Sequence, residues 1–477
     1  MSDFFLGIIL IVVVVAIFNL IIFVHELGHF LAARWRGLHV DRFQIWFGKP
    51  IWKKTVNGVQ YGLGWLPAGG FVSLPQMAPM EMVEGERTDE AAALPPVKPL
   101  DKIIVAFAGP LFSFLFAVVA ALVVWGVGKP RDVIPSTTLG YVQEGSPAAE
   151  AGLQVGDQIL AINDEPVTVF GGNLDGVMEK IMMSEGEHID IKVRRGVETM
   201  VIKSEFRRPE PGGFFKRKGM RSIGVWVENQ PKVEKVMAGS PGATAGLQKG
   251  DIVETIGGQK VSSDRVIYDF LKKSGEKEVT LGVRRGDELL KITVLPRIPI
   301  NKKTGATIKD SPAMLGVVFN GGEFNEEIYH PSAWSQIEDS ATMMWVTIKK
   351  VSASDSDVGI QHLSGPIGIG DVMWNIIQTE NGWKRLLFFI VLFNVNLAIL
   401  NMMPFPVLDG GHIVLSVMEM VAGKPVQAKV LGVIQTAFAL VLFSLFLFIT
   451  SKDIGGLVDG EEAPEIAFPP AKAANAQ

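Results

Sequence analysis

The chain has 477 residues, 48% of them hydrophobic and 20% charged, which fits membrane spans joined to soluble modules and excludes a tail-like or collagen-like polymer. Its formal net charge of -5 provides no basic field, so nucleic acid is not an expected partner. Cysteine is absent, which excludes disulfide frameworks and thiolate metal sites and leaves His, Asp and Glu as transition-metal ligands.

Four apolar stretches reach spanning length or come close to it: Phe4 to Ala33, Ile103 to Gly128, Leu386 to Met403, and Leu431 to Ile449. Segments 1–35, 103–128, 384–409 and 429–450 are therefore expected to be transmembrane helices. The first lacks a basic n-region and is too long for a signal-peptide core, so it reads as a retained span. Loop 36–102 and its flank carry Arg34, Arg36, Arg42, Lys49, Lys53, Lys54, Arg87, Lys98 and Lys102, which marks the loop as cytoplasmic and both termini as outward. The Lys384–Arg385 pair before the third span opposes that orientation. Within the loop, strand-like residues flank Asn57-Gly58, a hairpin signal, and "PAGGFVSLP" continues an apolar, glycine-rich path that could offer an edge to an extended substrate.

Between spans two and three the chain repeats itself. "GSPAAEAGLQVGDQILAINDEPV" starts at Gly145 and "GSPGATAGLQKGDIVETIGGQKV" at Gly239; each is followed by a helix-like stretch and a Val-Arg-Arg-Gly turn, at Val193 and Val283. These units resemble PDZ domains, over 135–209 and 221–296. In that family an extended peptide adds to a groove edge, so the modules are expected either to bind substrate or to act as packing modules or size filters. Region 325–383 is expected to hold an amphipathic helix from Pro331 to Lys350, with Trp334, Ile337, Ala341, Met344, Trp345 and Ile348 on a stripe that packs against protein or lies in the headgroup layer. The tail, 453–477, is acidic and then rich in Ala and Pro, which predicts disorder.

The chemistry concentrates at two places. His25 and His29 in "HELGH" stand one helical turn apart and can reach one ion, with Glu26 beside them: this is the H-E-x-x-H pattern, in which the glutamate takes a proton from metal-bound water. Catalytic zinc usually has three protein ligands, so one is missing. His39, His188, His330 and His362 fall in loops or soluble modules. Asp409, in "NMMPFPVLDGGH" at the end of the third apolar segment, is the better candidate because a carboxylate also neutralises charge on the ion; His412 competes with it.

"HELGH" in a first span and "NMMPFPVLDGG" in a third, around tandem PDZ-like repeats, closely resemble the bacterial site-2 proteases of the RseP type. The resemblance implies a polytopic α-helical membrane protein with four transmembrane helices, a membrane-associated β-hairpin region and two exported α+β PDZ-like domains. It implies zinc bound by His25, His29 and Asp409, with Glu26 as catalytic base and Asn401 holding substrate or stabilising the reacting carbonyl. Substrates are then single-pass membrane proteins already trimmed once, of the anti-sigma-factor type, with signal-peptide remnants as a second class. The setting is the bacterial inner membrane, with the PDZ-like domains periplasmic or otherwise extracytoplasmic. "AGPLFS" carries Ser113 where many relatives have asparagine, which leaves any side-chain role of that position open, and Gly109 and Pro110 are expected to serve packing. "LSGPIGIGDV" from Leu363 looks like the family segment before the third span.

A transmembrane helix hides its backbone, so a substrate must unwind. The Asn57-Gly58 hairpin region or the strand after Gly69 is expected to capture it by strand addition. Two other classes remain: a membrane-anchored PDZ scaffold with a vestigial metal site, and a metal transporter supported only by Asn394, Asn396 and Asn401 in span three.

Overall fold

The computed structural model describes residues 3–77, 94–95, 97–172, 175–207, 219–308, 311–320, 325–353, 356–424, 428–459 and 466–469. The chain divides into two compact units. The first contains Met1–Pro130, Ile328–Lys349 and Leu363–Asp453; the second contains Arg131–Glu327, Lys350–His362 and Ile454–Gln477.

In the first unit, helix α1 (Asp3–Arg36) leads into a long hairpin, β1 (Arg42–Val56) and β2 (Val59–Ser73), then into α2 (Pro99–Val127). Asn57 and Gly58 both have positive φ, as a tight hairpin turn on right-twisted strands requires. Both strands bend back on themselves: Phe43 pairs with Tyr61 on one side and with Val72 on the other. Residues 42–45 are thus a central strand, and 70–73 forms a sheet edge. Ala33, Val40, Phe43, Val59 and Val72 bury this sheet against α1 and against Val105 and Ala108 of α2.

The later helices that build this unit are α3 (Ala333–Ser352), α4 (Pro366–Gln378), α5 (Gly382–Asn401), α6 (Asp409–Ala422) and α7 (Ala428–Asp459). Segments Ile11–Arg36, Pro99–Val127, Gly382–Asn401 and Val430–Gly456 are long and apolar enough to cross a membrane. Large apolar side chains on them, among them Leu20, Leu122, Val433 and Phe443, are exposed, an arrangement suited to lipid rather than water.

The structure corrects three expectations in this unit. Span three does not run to 409: α5 ends at Asn401, because Pro404 and Pro406 lack the N–H groups that would continue it, and Asp409 opens a separate helix. The fourth helix is longer than 429–450 and ends at Asp459. On α3 the expected stripe is only partly used: Ile337 is buried together with Gln336 and Ser340, while Trp334 and Trp345 are exposed. Gln336 explains the shift, since its Nε2 donates to the Ala121 carbonyl of α2 and holds a polar face inward.

The second unit contains the two repeats. The first has β3 (Leu139–Val142), β4 (Gln158–Ile162), β5 (His188–Arg195), β6 (Glu198–Glu205) and β7 (Val225–Val227). The second has β8 (Lys232–Val236), β9 (Ile252–Ile256), β10 (Val279–Arg285), β11 (Glu288–Val294), a short β12 (Ile300–Asn301) and β13 (Val317–Asn320). The boundaries 135–209 and 221–296 shift, because each repeat is closed by a late strand: β7 pairs with β3, and β13 pairs with β8. Each repeat has its own core, around Ile159, Ile189 and Ile191 in the first and Val253, Ile256 and Leu281 in the second.

The shared motifs have one physical cause. Arg195 binds Asp157 through two hydrogen bonds of 2.7 Å and donates to the Gly152 carbonyl. Arg285 binds Asp251 at 2.7 and 2.8 Å and donates to the Gly246 carbonyl. The tail also departs from expectation: Ile466–Ala467 forms a strand, β14, paired antiparallel with β12.

Candidate active site

His25 and His29 project from α1 toward Asp409, the first residue of α6. Their Nε2 atoms lie 3.3 Å apart; His25 Nε2 lies 3.3 Å from Asp409 Oδ2, and His29 Nε2 lies 3.3 Å from Asp409 Oδ1. All three groups are buried or nearly so. A tetrahedral ion with bonds of about 2.0–2.1 Å has donor-to-donor edges of about 3.3–3.4 Å, so this spacing fits zinc. Two neutral imidazoles and one carboxylate also match the usual donor set of a hydrolytic zinc site, with a fourth position for water.

The imidazoles are held from behind. His25 Nδ1 lies 3.0 Å from Ser113 Oγ, and His29 Nδ1 lies 2.9 Å from the Val105 carbonyl, both on α2. With each Nδ1 protonated and donating, each Nε2 is left free to ligate. Gly109 also belongs to this support: a Cβ there would strike the His29 ring, so the glycine of "AGP" makes room for that imidazole rather than serving only helix packing. Gly28 has the same relation to the Ala108 carbonyl and lets α1 approach α2. At the other end of the site, Cβ atoms on Gly410 or Gly411 would strike the backbone at Met402, Met403 and Phe405, so this glycine pair lets α6 start directly on the turn that follows Asn401.

The donors open onto a cavity of about 400 Å³ that Glu26 and Asn401 also line. Gly69, Gly70, Phe71 and Val72 form its sheet wall, an edge beside α1 that pairs with no further strand among the described residues. Phe47 reaches the same cavity and stacks on Phe71 with ring centroids 6.2 Å apart. It does so from a bulge between Ile45 and Pro50 that the Gln44 side chain templates by donating to the carbonyls of Trp46 and Gly48. Trp46 takes up φ +68°, unusual for a bulky residue, and its indole N–H donates to Asn19 of α1.

Other sequence candidates fall outside the donor cluster. His39 faces Asp41, and His330 contacts the Trp125 carbonyl. His412 is buried in the cavity wall on α6 but is not one of the three clustered donors, and its Nε2 has no hydrogen-bond partner among the described residues. Asn394 donates its side-chain amide to the Ile390 carbonyl of its own helix and does not line the cavity. The hairpin tip at Asn57-Gly58 does not line the cavity; the strand after Gly69 does.

The profile of Peptidase family M50 matches residues 12–445. The chain belongs to peptidase family M50. A "Regulator of sigma E protease" from Haemophilus influenzae is 30% identical to this M50 peptidase over 450 residues, covering 90% of this chain and 95% of that one. A "Regulator of sigma-E protease RseP" from Escherichia coli K12 is 29% identical over 428 residues, 86% of this chain and 91% of that one. The words zinc metalloprotease stand in the name of a Vibrio cholerae relative, 29% identical over 452 residues, 90% of this chain and 94% of its own. Among solved structures, the PDZ domain of an SdrC-like protein from Listeria innocua matches 22% of this chain and all of its own, at 16% identity and a TM-score of 0.16. This M50 peptidase is a zinc metalloprotease and a multi-pass membrane protein, so the scaffold and transporter alternatives fall away.

Proposed function

We propose that the enzyme hydrolyses peptide bonds inside the membrane-spanning segments of single-pass proteins, with zinc held by His25, His29 and Asp409. The observation that carries this reading is the meeting of those three donors, within 4.8 Å of one another, with Glu26 on a cavity between apolar helices. Zinc, when bound, supplies an acidified water and polarises the scissile carbonyl.

The chain's own residues do the rest. Glu26 takes the proton of the attacking water as the carbon–oxygen bond forms, and returns it to the amine nitrogen as the carbon–nitrogen bond breaks. Ser113 and the Val105 carbonyl keep His25 and His29 from turning. Asn401, on the cavity wall where α5 ends, offers an amide to the reacting carbonyl. Substrate must arrive unwound, and edge 70–73 can take an extended strand through its free backbone groups, with Phe47 and Phe71 flanking the side chains.

The relatives named as regulators of sigma E support anti-sigma-factor-type substrates, already trimmed by another protease; signal-peptide remnants fit the same chemistry. The setting is then a bacterial inner membrane with the PDZ-like modules on the outer side. The test is cleavage of a tagged single-pass substrate by purified enzyme, with bound zinc measured alongside. Glu26→Gln is expected to retain zinc and lose at least about a hundredfold in turnover. Equal turnover by the variant would remove Glu26 from its role, and loss of cutting only in step with loss of zinc would make it structural.

A further inference from the structure

The two PDZ-like repeats are built alike at the segment that leads into their closing strands. In the first, the Gly224 carbonyl accepts from Gln143 N at 2.9 Å and the Ile223 carbonyl from Ala148 N at 3.0 Å. In the second, the Gly316 carbonyl accepts from Met237 N at 2.9 Å and the Leu315 carbonyl from Gly242 N at 2.7 Å. Both glycines have positive φ, and both face a serine that caps a four-residue helix, Ser146 before Pro147–Glu150 or Ser240 before Pro241–Thr244.

The repeats differ in what else lies there. A Cβ at Gly224 would meet Ser146 and Gln143 of its own repeat. A Cβ at Gly316 would meet Ser240 and also the ring of Phe468, with Cε2 at 2.7 Å and Cζ at 2.9 Å. Phe468 follows directly on β14, whose Ala467 and Ile466 pair with Ile300 and Asn301 of β12. Residues 466–469 are all half-buried. The composition of the tail predicts disorder, yet the run Ile-Ala-Phe-Pro at 466–469 is seated against β12.

We infer that residues Ile466–Pro469 are a resident strand of the second PDZ-like module: an interaction surface formed by the β12 edge and Gly316 takes an extended apolar segment, and its occupant is this chain's own tail. Strand pairing supplies the backbone contacts, and the missing Cβ of Gly316 supplies the space for the ring. Because Gly316 immediately precedes β13, the sheet-edge strand that closes the module, the seated tail stiffens that strand's entry. Among the described residues the nearest neighbours of a Cβ at Gly224 are Ser146 and Gln143 of the same repeat, so the two repeats are not equivalent as peptide-binding modules.

The absence of cysteine gives a clean test. Directly opposed residues on antiparallel strands meet the Cα separation that a disulfide needs. In the full-length protein in membranes, Ile300→Cys with Ala467→Cys is expected to form an intramolecular disulfide under mild oxidation, read by mass spectrometry of the linked peptides. In hydrogen exchange, Phe468→Ser is expected to speed exchange about tenfold at residues 316–320 and leave residues 224–227 unchanged, with Phe468→Leu largely restoring protection. No link, or a link only between two chains, overturns the intramolecular seat. Unchanged exchange at 316–320, or an equal rise in both repeats, overturns the selective support of the second module.

Discussion

Ser113 gives His25 a fixed ring orientation with a single hydroxyl, and this contact is separable from the rest of the site. Ser113→Ala keeps most of the volume at a fully buried position and removes only the acceptor for Nδ1. Loss of such an outer partner typically costs about 10–100-fold in metal affinity, so zinc competition with a chelator is expected to show a drop in that range. His29 keeps its Val105 anchor, so the site should still form. An unchanged affinity would mean that burial alone orients His25. The meeting of His25, His29 and Asp409 was legible, because two histidines one turn apart suit a shared ion and Asp409 was the best-placed carboxylate. Their supports were not, because Ser113 and Val105 lie 88 and 76 residues from the rings they hold and carry no pattern of their own. Nor could spacing reveal that Gly109 is empty space for an imidazole.

Among the elements, the PDZ-like repeats show how a motif can be visible while its reason is hidden. Gly-Asp and Val-Arg-Arg-Gly recur because the aspartate, 1% exposed in the first repeat and 0% in the second, binds the second arginine of the turn. Burial alone would push both carboxyls up, but the guanidinium and the amides of Gln154 and Gln248 more than offset it and hold them below the ordinary aspartate value. A carboxyl with a lowered folded-state pKa contributes stability that is present above its unfolded value and is lost as pH falls through the folded one. Asp251→Asn is therefore expected to destabilise the second repeat by about 2–3 kcal/mol near neutral pH, with the difference from wild type shrinking in acid, as denaturant titrations at several pH values would show. A constant difference across pH would assign the effect to packing. Strand alternation and the Asn57-Gly58 turn were readable because they are local. The late closing strands were not, since β7 and β13 are short pieces recruited from beyond the repeated motif; for span three the prolines and glycines signalled an interrupted helix but not the residue at which α5 ends.

At the scale of the whole molecule, the metal donors, Glu26, Asn401 and the strand edge all belong to the first unit, whereas residues 131–327 belong to the second. The proposed catalytic chemistry therefore requires nothing from the PDZ-like repeats, which leaves substrate selection as the role to test. Two mechanisms differ in outcome. If the repeats capture substrate, their removal weakens cutting of trimmed and untrimmed substrate alike, because an effective local concentration is lost. If they exclude bulky extracytoplasmic domains, removal leaves trimmed substrate unaffected and exposes untrimmed substrate to cutting. Replacing residues 136–320 by a flexible linker, with zinc content and Glu26 dependence checked in the same preparation, separates the two. We expect the second outcome, since an edge strand at 70–73 within the catalytic unit already offers a backbone partner and makes a second capture site less necessary. A shortened enzyme that keeps its zinc, cuts trimmed substrate and still spares the untrimmed form would show that the selection resides in the membrane unit itself.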